Sequence, residues 1–120
     1  MPIPAWTSPL IESIDRRDWD TFAGFLTDDA SFRYGSYPAV SGQDAIKEAA
    51  AAAVAPFSKV AHQVIDGWEA EAVCILQGRV SYHLAEGPTH TLPFVNLFRM
   101  EGKKIREYLI YIDPTPLIPR

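Results

Sequence analysis

The sequence predicts an α+β fold, a cone in which two or three N-terminal helices cover one face of a strongly curved, mostly antiparallel sheet. Three observations carry that expectation. Apolar residues recur at helical spacing as far as Pro56, with one short strand among the helices, and switch to strand patterning after it. Four runs rich in β-branched and aromatic residues follow, broken at Gly67-Trp68, Glu86-Gly87-Pro88 and Glu101-Gly102. Helices first and a meander afterwards is the order in which helices pack on one face of a sheet.

Ser8-Pro9 suits a helix start, because proline at the first helical position loses no needed donor. Leu10, Ile11 and Ile14 form its apolar stripe and Asp15-Arg16-Arg17 closes it. Asp18 is an N-cap for a second helix with Trp19, Phe22 and Leu26 on one face. A short strand is expected near Ala30–Tyr34. Ser41 with Asp44 resembles a capping box, with aspartate in place of the usual Glu or Gln. Ala45, Ile46, Ala49, Ala50 and Ala53 continue that helix until Pro56 stops it. The expected strands of the meander are Val60–Asp66, Ala72–Leu84, Thr89–Met100 and Lys104–Ile112. Two of these exceed ten residues, long enough to bend, and a curved sheet under helices leaves a hollow for a small molecule.

Length and charge narrow the function classes. A chain of 120 residues fits a single domain spanning 1–120, since a second would have too little interior. Its net charge of -4 argues against nucleic acid, which needs a basic stripe to neutralise phosphates. Cys74 is the single cysteine, so no internal disulfide forms and a reducing compartment is expected. The opening MPIPAWTSPL has no basic stretch or long apolar run of a signal peptide. With no run of about 18 apolar residues to span a bilayer, the expectation is a cytoplasmic protein that contacts no membrane.

The strings DRRDWDTFAGFLTDDASFRYGSYPAVSGQDAIKEA, TLPFVNLFRMEGKKI and YIDPTPL resemble the nuclear transport factor 2-like superfamily, from about Ile11 to Leu117. Within it the likeness is to the SnoaL-like polyketide cyclases, with ketosteroid isomerase more distant. The resemblance implies a cystatin-like cone, usually dimeric through the outer face of the sheet. Ketosteroid isomerase uses an aspartate base with a tyrosine and a protonated aspartate as oxyanion hole. At the matching positions this chain has Tyr34, Leu10 and Asn96, and a tyrosine with a reference pKa of about 10 is no carboxylate base. Steroid isomerisation by that route is therefore not expected. The SnoaL-like cyclases place an acid/base aspartate on the sheet, and Asp113 in YIDP resembles it best.

The resulting expectation is cofactor-free proton transfer on a hydrophobic carbonyl or polyketide-like compound, giving aldol cyclisation, isomerisation or dehydration. Asp113 or His62 carries the proton, His62 because its reference pKa is near 6.5. Asn96 and a hydroxyl from Tyr34 or Tyr37 steady the enolate. Tyr34, Tyr37, Tyr82, Phe94 and Phe98 are the expected ligand-binding residues. Parity sets a condition on Asp113: in a regular last strand it shares a face with Tyr111, Leu109 and Glu107, opposite Tyr108, Ile110 and Ile112. Asn96 alternates with Phe94, Phe98 and Met100, one polar group on an apolar face. On the long strand after Ala72, the set Cys74, Leu76, Gly78, Val80 and Tyr82 is expected to face the helices. Gly78 marks a bend, and the more polar Gln77, Arg79, Ser81 and His83 lie outside. His83 and His90 bracket the LAEGPT turn and could sit opposite each other, but no third ligand at a recognisable spacing points to a metal.

A non-catalytic binder of a small apolar ligand, or a dimerising domain serving a partner, is the alternative. An epoxide hydrolase using Arg79 or Arg99 with Asp113 is a minor one. The absence of a nucleophile elbow, phosphate-cradling glycine loop or Walker motif leaves no cofactor expected.

Overall fold

Leu10 and Ile11 on α1 (Thr7–Asp15) are buried, and so are Phe22 and Ala23 on the short α2 (Trp19–Ala23). The computed structural model describes residues 2–118. Asp18 caps α2 as expected, accepting from the Thr21 backbone N–H and, at 2.7 Å, from its hydroxyl. The helix stops short of Leu26, which begins β1 (Leu26–Tyr34) instead. The cause is the sheet: the Phe25 carbonyl accepts from Ile105 N–H at 2.8 Å, drawing the chain out of the helix.

β1 is thus longer than expected. It pairs with the two-residue β2 (Val40–Ser41) on one side and runs parallel to β6 (Lys104–Tyr111) on the other. With β3 (Lys59–Ala70), β4 (Val73–His83) and β5 (Thr89–Glu101) the order is β2-β1-β6-β5-β4-β3, a mixed sheet in which every pairing except β1 with β6 is antiparallel. α3 (Gln43–Val54) does not start on a Ser41 capping box. Ser41 is held in β2 opposite Ser31, and Gly42 turns the chain at φ 91° before the first helical bond from Ile46. That left-handed φ suits glycine, which has no Cβ to clash.

Gly67-Trp68 is likewise not a turn. β3 continues through it, pairing Gly67 with Leu76 and Trp68 with Ile75, and the chain reverses at Glu71-Ala72. Gly67 is there for close packing against Pro4 and Leu76. The bend lies where the register of β3 slips between Val64 and Asp66, opposite Gly78. A Cβ at Gly78 would fall 2.2 Å from the Gln63 carbonyl oxygen and 3.0 Å from the Phe94 ring, so only glycine lets the two strands approach there. Bulges add local bend and twist.

The faces of β4 follow the expected alternation: Cys74, Leu76, Gly78, Val80 and Tyr82 are buried toward the helices, while Arg79 is exposed outside. On β6, Tyr108 and Ile110 point inward. His83 pairs with Thr89 and His90 with Tyr82, so the two histidines leave opposite faces and cannot share an ion. Among the described residues no group of three metal-ligating side chains converges, and no helix is long and apolar enough to cross a membrane.

Gly78→Ala is expected to lower the unfolding free energy by about 2–3 kcal/mol, because the obstructing atom is backbone and cannot swing away. A urea titration checks it, with a reduced midpoint at unchanged slope.

Candidate active site

The bent sheet and α3 enclose a hollow in two parts. An outer groove of about 430 Å³ opens between α3, the loop carrying Tyr37 and Pro38, and the C-terminal residues Leu117 and Ile118. An inner chamber of about 50 Å³ lies behind it. Phe32, Tyr34 and Ala53 line both, so the two adjoin.

His62 on β3 faces the chamber. Its Nδ1 lies 2.5 Å from Asp15 Oδ1, and its backbone N–H donates to Asp15 Oδ2 at 3.1 Å. Asp15 therefore grips one residue at two points, and because a carboxylate only accepts, the contact suits the tautomer whose Nδ1–H donates and whose Nε2 is the acceptor. The His62 ring also meets the Phe94 ring edge-on at 5.5 Å, so its rotation is restrained from both sides. The two side chains are only 13% and 26% exposed.

The Tyr34 and Tyr82 hydroxyls are 2.8 Å apart. Burial pushes both phenols above their ordinary pKa, so they remain neutral donors. One O–H satisfies the pair and the other proton is free to bind a ligand. Tyr37, half exposed, stacks on Tyr34 with centroids 6.2 Å apart. Asn96 is 2% exposed and lines the same chamber; among the described residues its buried Oδ1 has no hydrogen-bond partner. Burying an unpaired amide oxygen costs about 1–3 kcal/mol by mutational estimates.

The chamber thus brings together His62, Tyr34, Tyr82, Phe94 and Asn96, with Tyr37 at the outer lip. Two expected residues lie elsewhere. Asp113 is exposed beyond the end of β6 and accepts from the Thr115 N–H and hydroxyl, bonds that hold its carboxyl below the usual carboxylate range. It caps a turn on the outer side because β6 keeps its regular alternation, which sends Ile112 to the cavity in its place. Phe98 is fully buried against Trp6 and Tyr108 and belongs to the core around α1, not to the cavity wall. The epoxide-hydrolase arrangement also fails: Arg99 pairs with Glu107 at 2.8 Å on the outer face, and Arg79 is exposed there too.

Asp15 was not among the expected site residues. One signal was available, since an acid in the last turn of a helix opposes the macrodipole and needs a compensating partner.

A search of sequence-family profiles matches residues 9–108 to the SnoaL-like domain. The chain belongs to this family. No curated protein matches in sequence. Among solved structures, a ketosteroid isomerase-like-fold protein from Catenulispora acidiphila, in complex with trimethylamine, is 14% identical with TM-score 0.83, covering 92% of this chain and 86% of its own. A SnoaL-like polyketide cyclase-type protein from Shewanella putrefaciens is 13% identical with TM-score 0.77, over 90% and 77%. TerC, co-crystallised with polyporic acid, is 18% identical with TM-score 0.79, over 91% and 89%. At such identities the likeness is one of fold.

Cys74, fully buried, has its thiol pushed up to about 11 by burial, with Glu69 adding to the shift. A raised native pKa stabilises the fold fully below the unfolded value and loses that contribution as pH rises through the native one. The unfolding free energy is expected to hold steady to about pH 8.5 and fall toward pH 11. Urea midpoints across that range check it, together with a thiol reagent that labels Cys74 at pH 8 only once urea unfolds the chain.

Proposed function

We propose that this protein is a cofactor-free acid/base enzyme acting on a neutral, hydrophobic carbonyl compound, with His62 as the proton carrier. The observation behind the proposal is the His62–Asp15 contact on the wall of a chamber that also holds an unpartnered Asn96. His62 Nε2 takes a proton from the carbon next to the carbonyl. The C–H electron pair becomes the enolate double bond and the carbonyl π pair moves onto oxygen. The free proton of the tyrosine pair binds that oxygen, and Asp15 stabilises the imidazolium. Returning the proton to another carbon gives isomerisation, loss of a β-hydroxyl gives dehydration, and attack on a second carbonyl gives aldol closure. Polyporic acid in TerC is in keeping with an oxygenated aromatic guest on this fold.

We also propose a homodimer through the outer face of the sheet. Trp68, Ile75, Leu97 and Leu109 stand in register across β3, β4, β5 and β6, an apolar row on the solvent side, with Trp68 41% exposed. Contiguous rows of this kind mark interfaces more often than bare surface. Light scattering on a sizing column is expected to give twice the chain mass, and Leu97→Lys to halve it without changing the circular dichroism. A monomeric native protein would end the dimer proposal.

For the chemistry, exchange of the α-protons of 1-tetralone in D₂O is followed by NMR. His62→Gln is expected to slow exchange by about 10²–10⁴, and Asp15→Asn by at least about tenfold, while Asp113→Asn leaves it unchanged. No exchange above buffer, or full exchange by His62→Gln, sinks the proposal.

A further inference from the structure

The geometry points to a two-part ligand: a hydroxyl-bearing head that donates to Asn96 Oδ1 in the inner chamber, and a neutral apolar tail lying in the outer groove. This inference rests on the same cavity as the proton-transfer reading, but it concerns binding alone.

Size separates the two parts. A space of about 50 Å³ holds on the order of three or four waters, hence a small polar head and not a whole substrate. The groove, about 430 Å³, is in the ordinary range for a ligand site, roughly 300–1,000 Å³. Phe32, Tyr34 and Ala53 line both spaces, so the two adjoin at these side chains, and the proposed ligand passes between them there.

The polarity of each part is set by its walls. In the chamber, Asn96 Oδ1 is an acceptor sealed from solvent with no donor in reach, and His62 presents a second acceptor at Nε2 because Asp15 takes Nδ1. Two acceptors beside the one free proton of the tyrosine pair ask for a group that both donates and accepts, which a hydroxyl does and an ether or a bare carbonyl does not. Groups that offer a hydroxyl beside an enolisable centre (phenols, enols and β-hydroxy carbonyls) fit this requirement. In the groove, Ala49, Ala52 and Ala53 form one side and Leu117 and Ile118 another, and among the described residues the tyrosine hydroxyls are its only polar side-chain groups. None of the described residues that line it is charged, so these walls offer an ionised tail nothing in exchange for its hydration.

Calorimetry on the full chain with 4-hexylphenol, its methyl ether 4-hexylanisole, and phenol tests both halves. 4-Hexylphenol is expected to bind at least about tenfold more tightly than the ether, the scale of one buried hydrogen bond. The hexyl chain is expected to add at least about tenfold over phenol. Asn96→Leu should erase the preference over the ether, and Ala52→Phe, which fills the groove from its exposed side, should erase the gain from the chain and keep the hydroxyl preference. Equal binding of 4-hexylphenol and 4-hexylanisole by the native protein overturns the head assignment, even if Asn96→Leu does not fold. A chain-length gain untouched by Ala52→Phe overturns the tail assignment. Both preferences in a protein that exchanges no ketone protons would sink the catalytic reading and leave this one standing; exchange without the preferences would do the reverse.

Discussion

Asp15 is the point on which fold and site both depend. Its carboxylate joins the end of α1 to β3, 47 residues away, by bonding both the backbone and the ring of His62. Those two bonds set how far the bent strand stands from the helices, which is to say how wide the hollow is. They also favour the tautomer of His62 that carries its proton on Nδ1. The placement is unfavourable for the helix alone, since the last turn repels an acid. A half-buried charge at that position persists because the partner it needs is supplied by the sheet.

The second constraint is the closeness of β3 and β4 at Gly78. With Gln63 O in the space a Cβ would occupy, the strands bend around that point and carry their ends over α3. The packed interior is correspondingly split. One cluster gathers Leu10, Phe22, Phe98 and Tyr108 under α1 and α2; the other gathers Val54, Phe57, Val80 and Phe94 under the end of α3. The inner chamber takes walls from both, Phe22 and Tyr108 from the first, Val80 and Phe94 from the second. Incomplete filling between two well-packed clusters is a way to keep a cavity without loosening either.

Side-chain periodicity made much of this legible. Alternation on β4 and β6 assigned Tyr82 and Ile110 to the inside and Tyr111 to the outside, because a pleated strand leaves no freedom in the matter. The same alternation carried the case against an inward Asp113. What escaped were features decided between distant segments. The parallel pairing of β1 with β6, the continuation of β3 through Gly67-Trp68 and the glycine start of α3 all follow from partners remote in the chain. His62 was legible as a candidate but not as inward, since both faces of its strand carry apolar residues. Asp15, the carboxylate that holds it, lies on another element, where local spacing has no reach. Phe98 shows the converse: it shares a face with Asn96, yet two residues along the strand moves it from cavity to core.

The polar groups of the chamber are set against an otherwise apolar interior, and that contrast is what gives them force. A hydrogen bond in a low-dielectric, water-poor space is electrostatically stronger than the same bond in water, and an unmade one is correspondingly costly. Tyr34 and Tyr82 answer this by bonding each other, which leaves one donor in reserve and keeps both phenols protonated. Asn96 has no such arrangement. An unpartnered buried amide oxygen has given up its hydration with no bond in return, so it lowers the stability of the empty protein. The deficit disappears only when something with a donor enters the chamber. An interior that is otherwise well satisfied holds one unanswered acceptor beside a histidine held at two points and a pair of bonded phenols, and that contrast is what the proposed ligand is asked to resolve.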